Sequence, residues 1–476
     1  MLTINSRPRG VCSGLTRREL LQAGGAGLFG LSLPGLLAAS EQSTLPARAK
    51  SVLFVFLFGG PSQLETFDCK PDAAEKIRGP WRPIAARTPE LRICEKLPQL
   101  AAASDKYCVV RTMTHPHNDH NACHYLQTGH TWPRSAANGQ DVNATDSDWP
   151  AMGSVVEYVD RHDRQRSFPS YVYLPNRMGH IQTPRYDRTG QYAGWLGRGY
   201  DALATEIRKR DSKDNPYYRD CTDEELDFRV QGLLPTLEMP LDRLGRRRTL
   251  LEEFDAARRT AEISGNIASY DRFQQRAFDI ATSEQVRTAL DIRREPAELR
   301  DRYGRHLFGQ SLLMGRRMIE AGARFATVLW DGPDGYGWDS HITSADLDKH
   351  LLPGLDQSLS ALLEDMEQSG LLEETLVVCL GEMGRTPQPA NSTWGRNHWT
   401  YCFPALLAGA GICGGTLYGT SDRDALYPAS KPVSPEDLAA TIYTALGINP
   451  ELRVLNQRGQ PVSIVDGGRP LLELFG

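Results

Sequence analysis

The sequence predicts an α/β protein built on a doubly wound, mostly parallel sheet, and three observations predict it. Continuous apolar, β-rich runs, the pattern of strands buried on both faces, occur at Ser51 to Phe58, Phe325 to Trp330 and Thr375 to Leu380. Each run breaks into a glycine-containing polar loop, which is where open α/β sheets keep their chemistry. Helix-period segments separate the runs, at Leu97 to Ala103, at about Ser344 to Ser369, and from Val433-Ser434-Pro435-Glu436-Asp437 onward. The last of these starts with proline in the first turn and acids that favour a helix N-terminus.

In chain order, residues 1–45 stand apart. Thr16-Arg17-Arg18-Glu19-Leu20-Leu21 precedes a Gly/Ala/Leu-rich stretch from about Ala23 to Ala39, the pattern of a twin-arginine export signal. The stretch is too short and too rich in glycine to span a membrane. Periplasmic or otherwise exported localisation is therefore expected, with the twin-arginine export machinery as a partner and no transmembrane span in the mature chain. That route carries folded proteins, which suits one that loads a metal beforehand.

Residues 46–200 are expected to form the first part of the core: the strand Ser51 to Phe58 ending in Gly59-Gly60-Pro61, the helix Leu97 to Ala103, and the strand Tyr107-Cys108-Val109-Val110-Arg111. A dense polar stretch, Thr112 to His130, follows. Residues 201–320 differ in texture, with long charged helix-period runs such as Arg246 to Arg259 and Tyr270 to Arg293, and read as a helical excursion. From about 321 to 476 the α/β texture returns and completes the core.

The chain has 476 residues, enough for a deep core, and a net charge of −5 without a block of like charge. Nothing in that balance draws it to nucleic acid. Nine cysteines include Cys12 in the signal; no C-x-x-C pair occurs, which excludes a zinc ribbon and a thioredoxin motif.

Four polar clusters carry candidate chemistry. His115, His117, His120, His124 and His130 fall within sixteen residues. If residues 117–126 are helical, His117, His120 and His124 share one face and can converge on a metal. Trp338-Asp339-Ser340-His341 offers a carboxylate and an imidazole two apart, able to turn toward one cation. Gly381-Glu382-Met383-Gly384-Arg385-Thr386 sets a carboxylate and a guanidinium directly after a strand. Gly395-Arg396-Asn397-His398-Trp399 presents an imidazole beside another guanidinium. Glu65 is a further candidate ligand, whereas Ser62 has no activating neighbour in the sequence and reads equally as a helix cap.

Taken in order, Gly59-Gly60-Pro61-Ser62 through Thr66-Phe67-Asp68, Tyr125-Leu126-Gln127-Thr128-Gly129, Trp338-Asp339-Ser340-His341, Gly381-Glu382-Met383-Gly384-Arg385-Thr386-Pro387 and Gly395-Arg396-Asn397-His398-Trp399 resemble the domain of unknown function 1501 family over nearly the whole mature chain. The resemblance implies an alkaline-phosphatase-like, sulfatase-like fold. It also exposes departures. The superfamily expects an acidic ligand after the first strand, where this chain has Gly59-Gly60, so Glu65 or Asp68 would substitute. Glu382-Met383 stands where an Asp-His metal pair is expected. Asp119 and Cys123 occupy the sulfatase nucleophile and arginine positions, so formylglycine chemistry is not supported. Asn397 replaces a usual aspartate.

The expected protein is a hydrolase of phosphate or sulfate esters that uses a metal-activated water. One divalent ion, zinc, calcium or another, is held among Glu65, His117, His120, Asp339, His341, Glu382 and His398. Arg385, Arg396 and His120 serve the reaction, Arg385 or Arg396 by stabilising developing charge. The partner would be an anionic, sulfated or phosphorylated ester. The alternative is a non-catalytic sulfatase-like scaffold that binds a polyanionic or carbohydrate ligand or a protein.

Overall fold

The computed structural model describes residues 45–131, 141–163, 166, 168–182, 185–230, 283–332 and 337–476. The signal segment therefore lies outside the described residues, as does the charged run Arg246 to Arg259. No helix among the described residues is long and apolar enough to cross a membrane.

A nine-stranded sheet organises the chain. Its strands, with one small pair that lies off the sheet, are β1 (Ser51–Leu57), β2 (Tyr107–Met113), β3 (Tyr171–Leu174), β4 (Leu203–Glu206), β5 (Arg229–Val230), β6 (Phe325–Trp330), β7 (Thr375–Leu380), the separate pair β8 (Gly384–Arg385) and β9 (His398–Trp399), β10 (Phe403–Ala408) and β11 (Thr416–Tyr418). Across the sheet the order is β11-β2-β10-β7-β1-β6-β3-β4-β5. Only β10, antiparallel to both neighbours, and β5, antiparallel to β4, break the parallel arrangement. The predicted α/β class with a mostly parallel sheet is what the chain adopts.

The strand β1 lies between β6 and β7, in register Leu57↔Trp330 on one side and Phe56↔Leu380 on the other. Every β1 residue is buried, which explains its continuous apolar run. Alternate residues feed two cores. Leu53, Val55 and Leu57 pack with α6 (Leu307–Glu320) and α7 (Leu352–Gln368), which follow α1 (Pro98–Ala102), α4 (Glu284–Leu290) and α5 (Ala297–Tyr303) on that face. Val52, Phe54 and Phe56 pack with α2 (Ala122–Thr128), α3 (Met152–Val159) and α8 (Pro435–Ala445) on the other. Each such fully buried Leu, Val or Phe contributes about 1.5–3 kcal/mol from desolvation. The helix α8 starts in a capping box of Ser434 and Asp437, with Pro435 at its first turn.

The ends of the segment 201–320 are built into this core. The strands β4 and β5 extend the sheet, and α6 packs against β6 and β1. Residues 231–282, its middle, lie outside the described residues.

One expectation is corrected. The three histidines do not share a helical face, because α2 begins only at Ala122. Pro116 disfavours helix at the preceding residue, and Asp119 Oδ1 accepts the Asn121 N–H at 2.8 Å, closing a turn instead.

His306 caps α6, its Nδ1 accepting the Gly309 N–H at 3.3 Å, while its Nε2 is buried without a partner. Burial pushes its pKa down to about 4, with the charge of His350 acting in the same direction and Asp220 opposing. The folded state thus binds fewer protons than the unfolded state, and the stability present above about pH 6.5 is lost as pH falls toward 4. His306→Asn retains a capping oxygen without a titrating ring. It is expected to remove up to about 3 kcal/mol of that acid sensitivity, read from urea unfolding at pH 7 and pH 4.5.

Candidate metal centre

The C-terminal ends of β1, β6 and β7 meet at the crevice where a doubly wound sheet binds ligands. Two loops close over β1 there. A Cβ on Gly59, at φ +109°, would sit 2.5 Å from the Asp339 backbone nitrogen, and one on Gly60, at φ +80°, 2.6 Å from Met383 Cγ. Gly59-Gly60 therefore stands where an acid was expected because the 338–339 and 382–383 loops pass too close for any side chain.

Asp339 is the hub. Its Oδ1 lies 3.0 Å from His341 Nε2, 3.2 Å from His398 Nε2 and 2.5 Å from Arg385 Nη2, and its Oδ2 lies 3.2 Å from His120 Nε2. The Nε2 atoms of His341 and His398 are 2.9 Å apart. Ligand atoms of His120, Asp339 and His398 all fall within 4.8 Å of one another. The cluster opens toward solvent at Asp339, whose side chain is 38% exposed.

Behind it, Glu382 is completely buried. Both its oxygens accept the Gly59 N–H, at 3.0 and 3.1 Å, and Oε1 accepts from His120 Nδ1 at 2.7 Å. Glu382 was expected to ligate metal directly. In the structure its carboxylate sits behind His120, engaging Nδ1 and turning Nε2 toward Asp339. Asn397 Oδ1, 3.1 Å from His341 Nδ1, does the same for His341.

The electrostatics are those of a place that attracts positive charge. Burial works against a charged His120, yet its bonds to Asp339 and Glu382 prevail and raise its pKa to about 9. Asp339 is held far below the ordinary carboxylate range: burial opposes this, and His120, His341, His398 and Arg385 outweigh it. Burial lowers the pKa of His398, as do His120 and Arg385, against the pull of Asp339.

Other expected residues lie elsewhere. Glu65 Oε1 accepts from Arg396 Nε at 2.9 Å, an ion pair buried on both sides. Arg396 also donates to the carbonyls of Thr386, Pro387 and Ile77, so it is a brace rather than a charge offered to substrate. Arg385, 0% exposed, donates to the carbonyls of Gly59, Gly60 and Arg396 as well as to Asp339, so its guanidinium faces the backbone of the crevice loops. Asp68 pairs with Lys70 at 3.0 Å and Arg111 at 3.6 Å. His117 packs edge-on against Tyr125, with ring centroids 5.4 Å apart, and His124 Nδ1 meets Thr189 Oγ1 at 2.8 Å. His115 Nε2 lies 2.7 Å from the Glu382 carbonyl, and His130 stacks on Trp149 at 3.8 Å. Ser62 is buried with no partner on its hydroxyl, so no base activates it. Of the five clustered histidines, His120 alone joins Asp339.

Sequence reasoning missed Arg188. Its guanidinium lies 4.6 Å over the Phe58 ring, whose centroid is 5.1 Å from that of His120. It belongs to no motif, and only the fold brings it over the ring that packs against His120.

Glu382→Gln keeps one oxygen but loses the second acceptor and the charge behind His120. Metal affinity is expected to fall about 10–100-fold, measured by competition with a chromogenic chelator.

Fold and site together define an α/β protein with a three-histidine, one-carboxylate cluster at the strand ends. The profile of the family described as a protein of unknown function (DUF1501) matches residues 49–475, and the chain belongs to that family. A search of curated proteins returns no match. Among solved structures, the chain is similar to a phosphonate monoester hydrolase from Silicibacter pomeroyi at 13% identity, covering 89% of this chain and 76% of that one, TM-score 0.35. It is also similar to the lipoteichoic acid synthase LtaP from Listeria monocytogenes at 9% identity, covering 91% and 80%, TM-score 0.33. Likewise, it is similar to the PsFucS1 sulfatase from Pseudoalteromonas sp. at 11% identity, covering 87% and 70%, TM-score 0.34.

Proposed function

We propose that the chain is an exported, metal-dependent hydrolase of phosphate or sulfate esters. One observation carries this: imidazole nitrogens of His120, His341 and His398 turn toward a single carboxylate, Asp339, at the strand-end crevice. With Glu382 and Asn397 engaging Nδ1 of His120 and His341, both Nε2 atoms are turned toward Asp339 oxygens, where a divalent ion could take the place of the proton that His120 Nε2 otherwise shares with the carboxylate. His120, His398 and Asp339, with His341 as a fourth, are the residues that would hold it. Three imidazoles and one carboxylate suit zinc or a similar borderline ion better than calcium, which takes six to eight oxygens.

A divalent ion there would supply Lewis acidity, polarising an ester oxygen and making water more acidic. The protein's own groups prepare that place. Arg385 keeps Asp339 ionised and pinned, and Glu382 aims His120.

Hydrolysis of p-nitrophenyl phosphate and p-nitrophenyl sulfate by the purified protein, before and after chelation, tests this reading. Turnover abolished by chelator and restored by zinc supports it; no turnover with metal present argues for the scaffold. The second reading has its own support, because Arg385 already occupies one oxygen of the hub carboxylate at 2.5 Å. Export is part of the proposal. Lysine at both Arg17 and Arg18 is expected to retain the protein in the cytoplasm, and undiminished periplasmic recovery on fractionation would refute that route.

A further inference from the structure

Six arginines among the described residues are buried: Arg177, Arg188, Arg300, Arg317, Arg385 and Arg396. Arg385 and Arg396 brace backbone carbonyls and an acid each, as described above. Arg177 donates to the carbonyls of Gln191 and Ala202. Arg300 and Arg317 hold Asp223 and Glu295 beneath the helical face. Arg188 alone among the six has a buried guanidinium nitrogen, its Nε, that makes no hydrogen bond at all. A buried donor without a partner is unfavourable, so such a group points to an acceptor that arrives with a ligand.

Its surroundings say what. Arg188 is 7% exposed. Its Nη1 pairs with Asp141 at 2.5 Å, and its Nη2 donates to Gln182 Oε1 at 3.3 Å. Gln182 in turn donates to Asp331 Oδ1 at 3.3 Å, and Asp331 is the first residue after β6, whose neighbour in the sheet is β1. The guanidinium stacks over Phe58, and the same ring packs against His120. The segment carrying Arg188 also lies against the start of α2: a Cβ on Gly190 would meet His124 Cα at 2.6 Å. Arg188 is thus a positive group one aromatic ring from the Asp339 cluster, with its Nε–H left for an anionic oxygen.

We propose that Arg188 binds a non-bridging oxygen of the phosphate- or sulfate-type group held at the Asp339 cluster. This rests on the hydrolase reading and adds to it the residue that recognises the anion, since all three guanidinium nitrogens of Arg385 and of Arg396 already donate within the protein. In the free protein Asp141 and Gln182 engage the two Nη groups, Asp141 competing for the positive charge, and the anion takes the free Nε–H.

The test is binding of inorganic phosphate by the full mature chain with zinc present, measured by calorimetry. Arg188→Gln is expected to weaken phosphate about tenfold or more, while Asp141→Asn, which releases the guanidinium from its carboxylate, tightens it. A folded Arg188→Gln protein that binds phosphate as the wild type does would overturn the proposal. So would an Asp141→Asn protein that loses phosphate as severely as Arg188→Gln, since the ion pair would then be structural only. Should Arg188→Gln not fold, Asp141→Asn decides: tighter binding supports the proposal, and equal or weaker binding overturns it. A wild-type protein that takes zinc but no phosphate overturns this inference and leaves the metal centre standing; one that takes neither removes both.

Discussion

His398→Ala is expected to empty the metal centre, lowering affinity for zinc by about a hundredfold or more, beyond what loss of an orienting residue costs. His398 supplies one of the three ligand atoms that lie within 4.8 Å of one another, so its removal leaves His120 and Asp339 as a pair. The His341 ring would also lose the nitrogen that faces it at 2.9 Å. Half-buried, His398 lies in a short strand paired with β8, in register Arg385↔His398, and truncation there leaves the backbone ladder intact. The protein should therefore stay folded. Zinc titration of the variant against wild type checks this, and equal affinity in a folded variant would remove His398 from the centre.

Arg385→Met is expected to act on the fold instead, costing about 3–5 kcal/mol. Methionine fills much of the volume but leaves the Gly59 and Gly60 carbonyls and the Asp339 carboxylate without their buried donor. This guanidinium ties the loop after β1 to Asp339 in the loop after β6, beside the bond from Gly59 N–H to Glu382 that ties it to the loop after β7. Its loss should lower the denaturant midpoint markedly, and the metal centre should fail because Asp339 is no longer pinned. A variant as stable as wild type but without turnover would return Arg385 to the catalytic role first expected of it.

Much of the framework was legible because central parallel strands write themselves as unbroken apolar runs. Ser51 to Phe58, Phe325 to Trp330 and Thr375 to Leu380 became β1, β6 and β7, side by side. The loops after them supplied Asp339, Glu382 and, further on, His398. What the sequence withheld was direction. A guanidinium beside a strand end reads alike whether it faces substrate or backbone carbonyls, and only the fold shows Arg385 and Arg396 spent on carbonyls. His117, His120 and His124 have helical spacing, but Pro116 and the Asp119 turn delay the helix, so His120 alone reaches the crevice. The pairing of His120 with Glu382 spans 262 positions, a contact no local pattern announces. Glu65 looked like a ligand because it follows the first strand, whereas a buried arginine was waiting for it.

The most direct test of the metal centre is elemental analysis of the purified mature protein, wild type beside His341→Ala and His398→Ala. Near-stoichiometric zinc or a similar transition ion in the wild type, diminished in both variants, is the predicted result. A folded wild-type protein that neither carries nor takes up such an ion would contradict it.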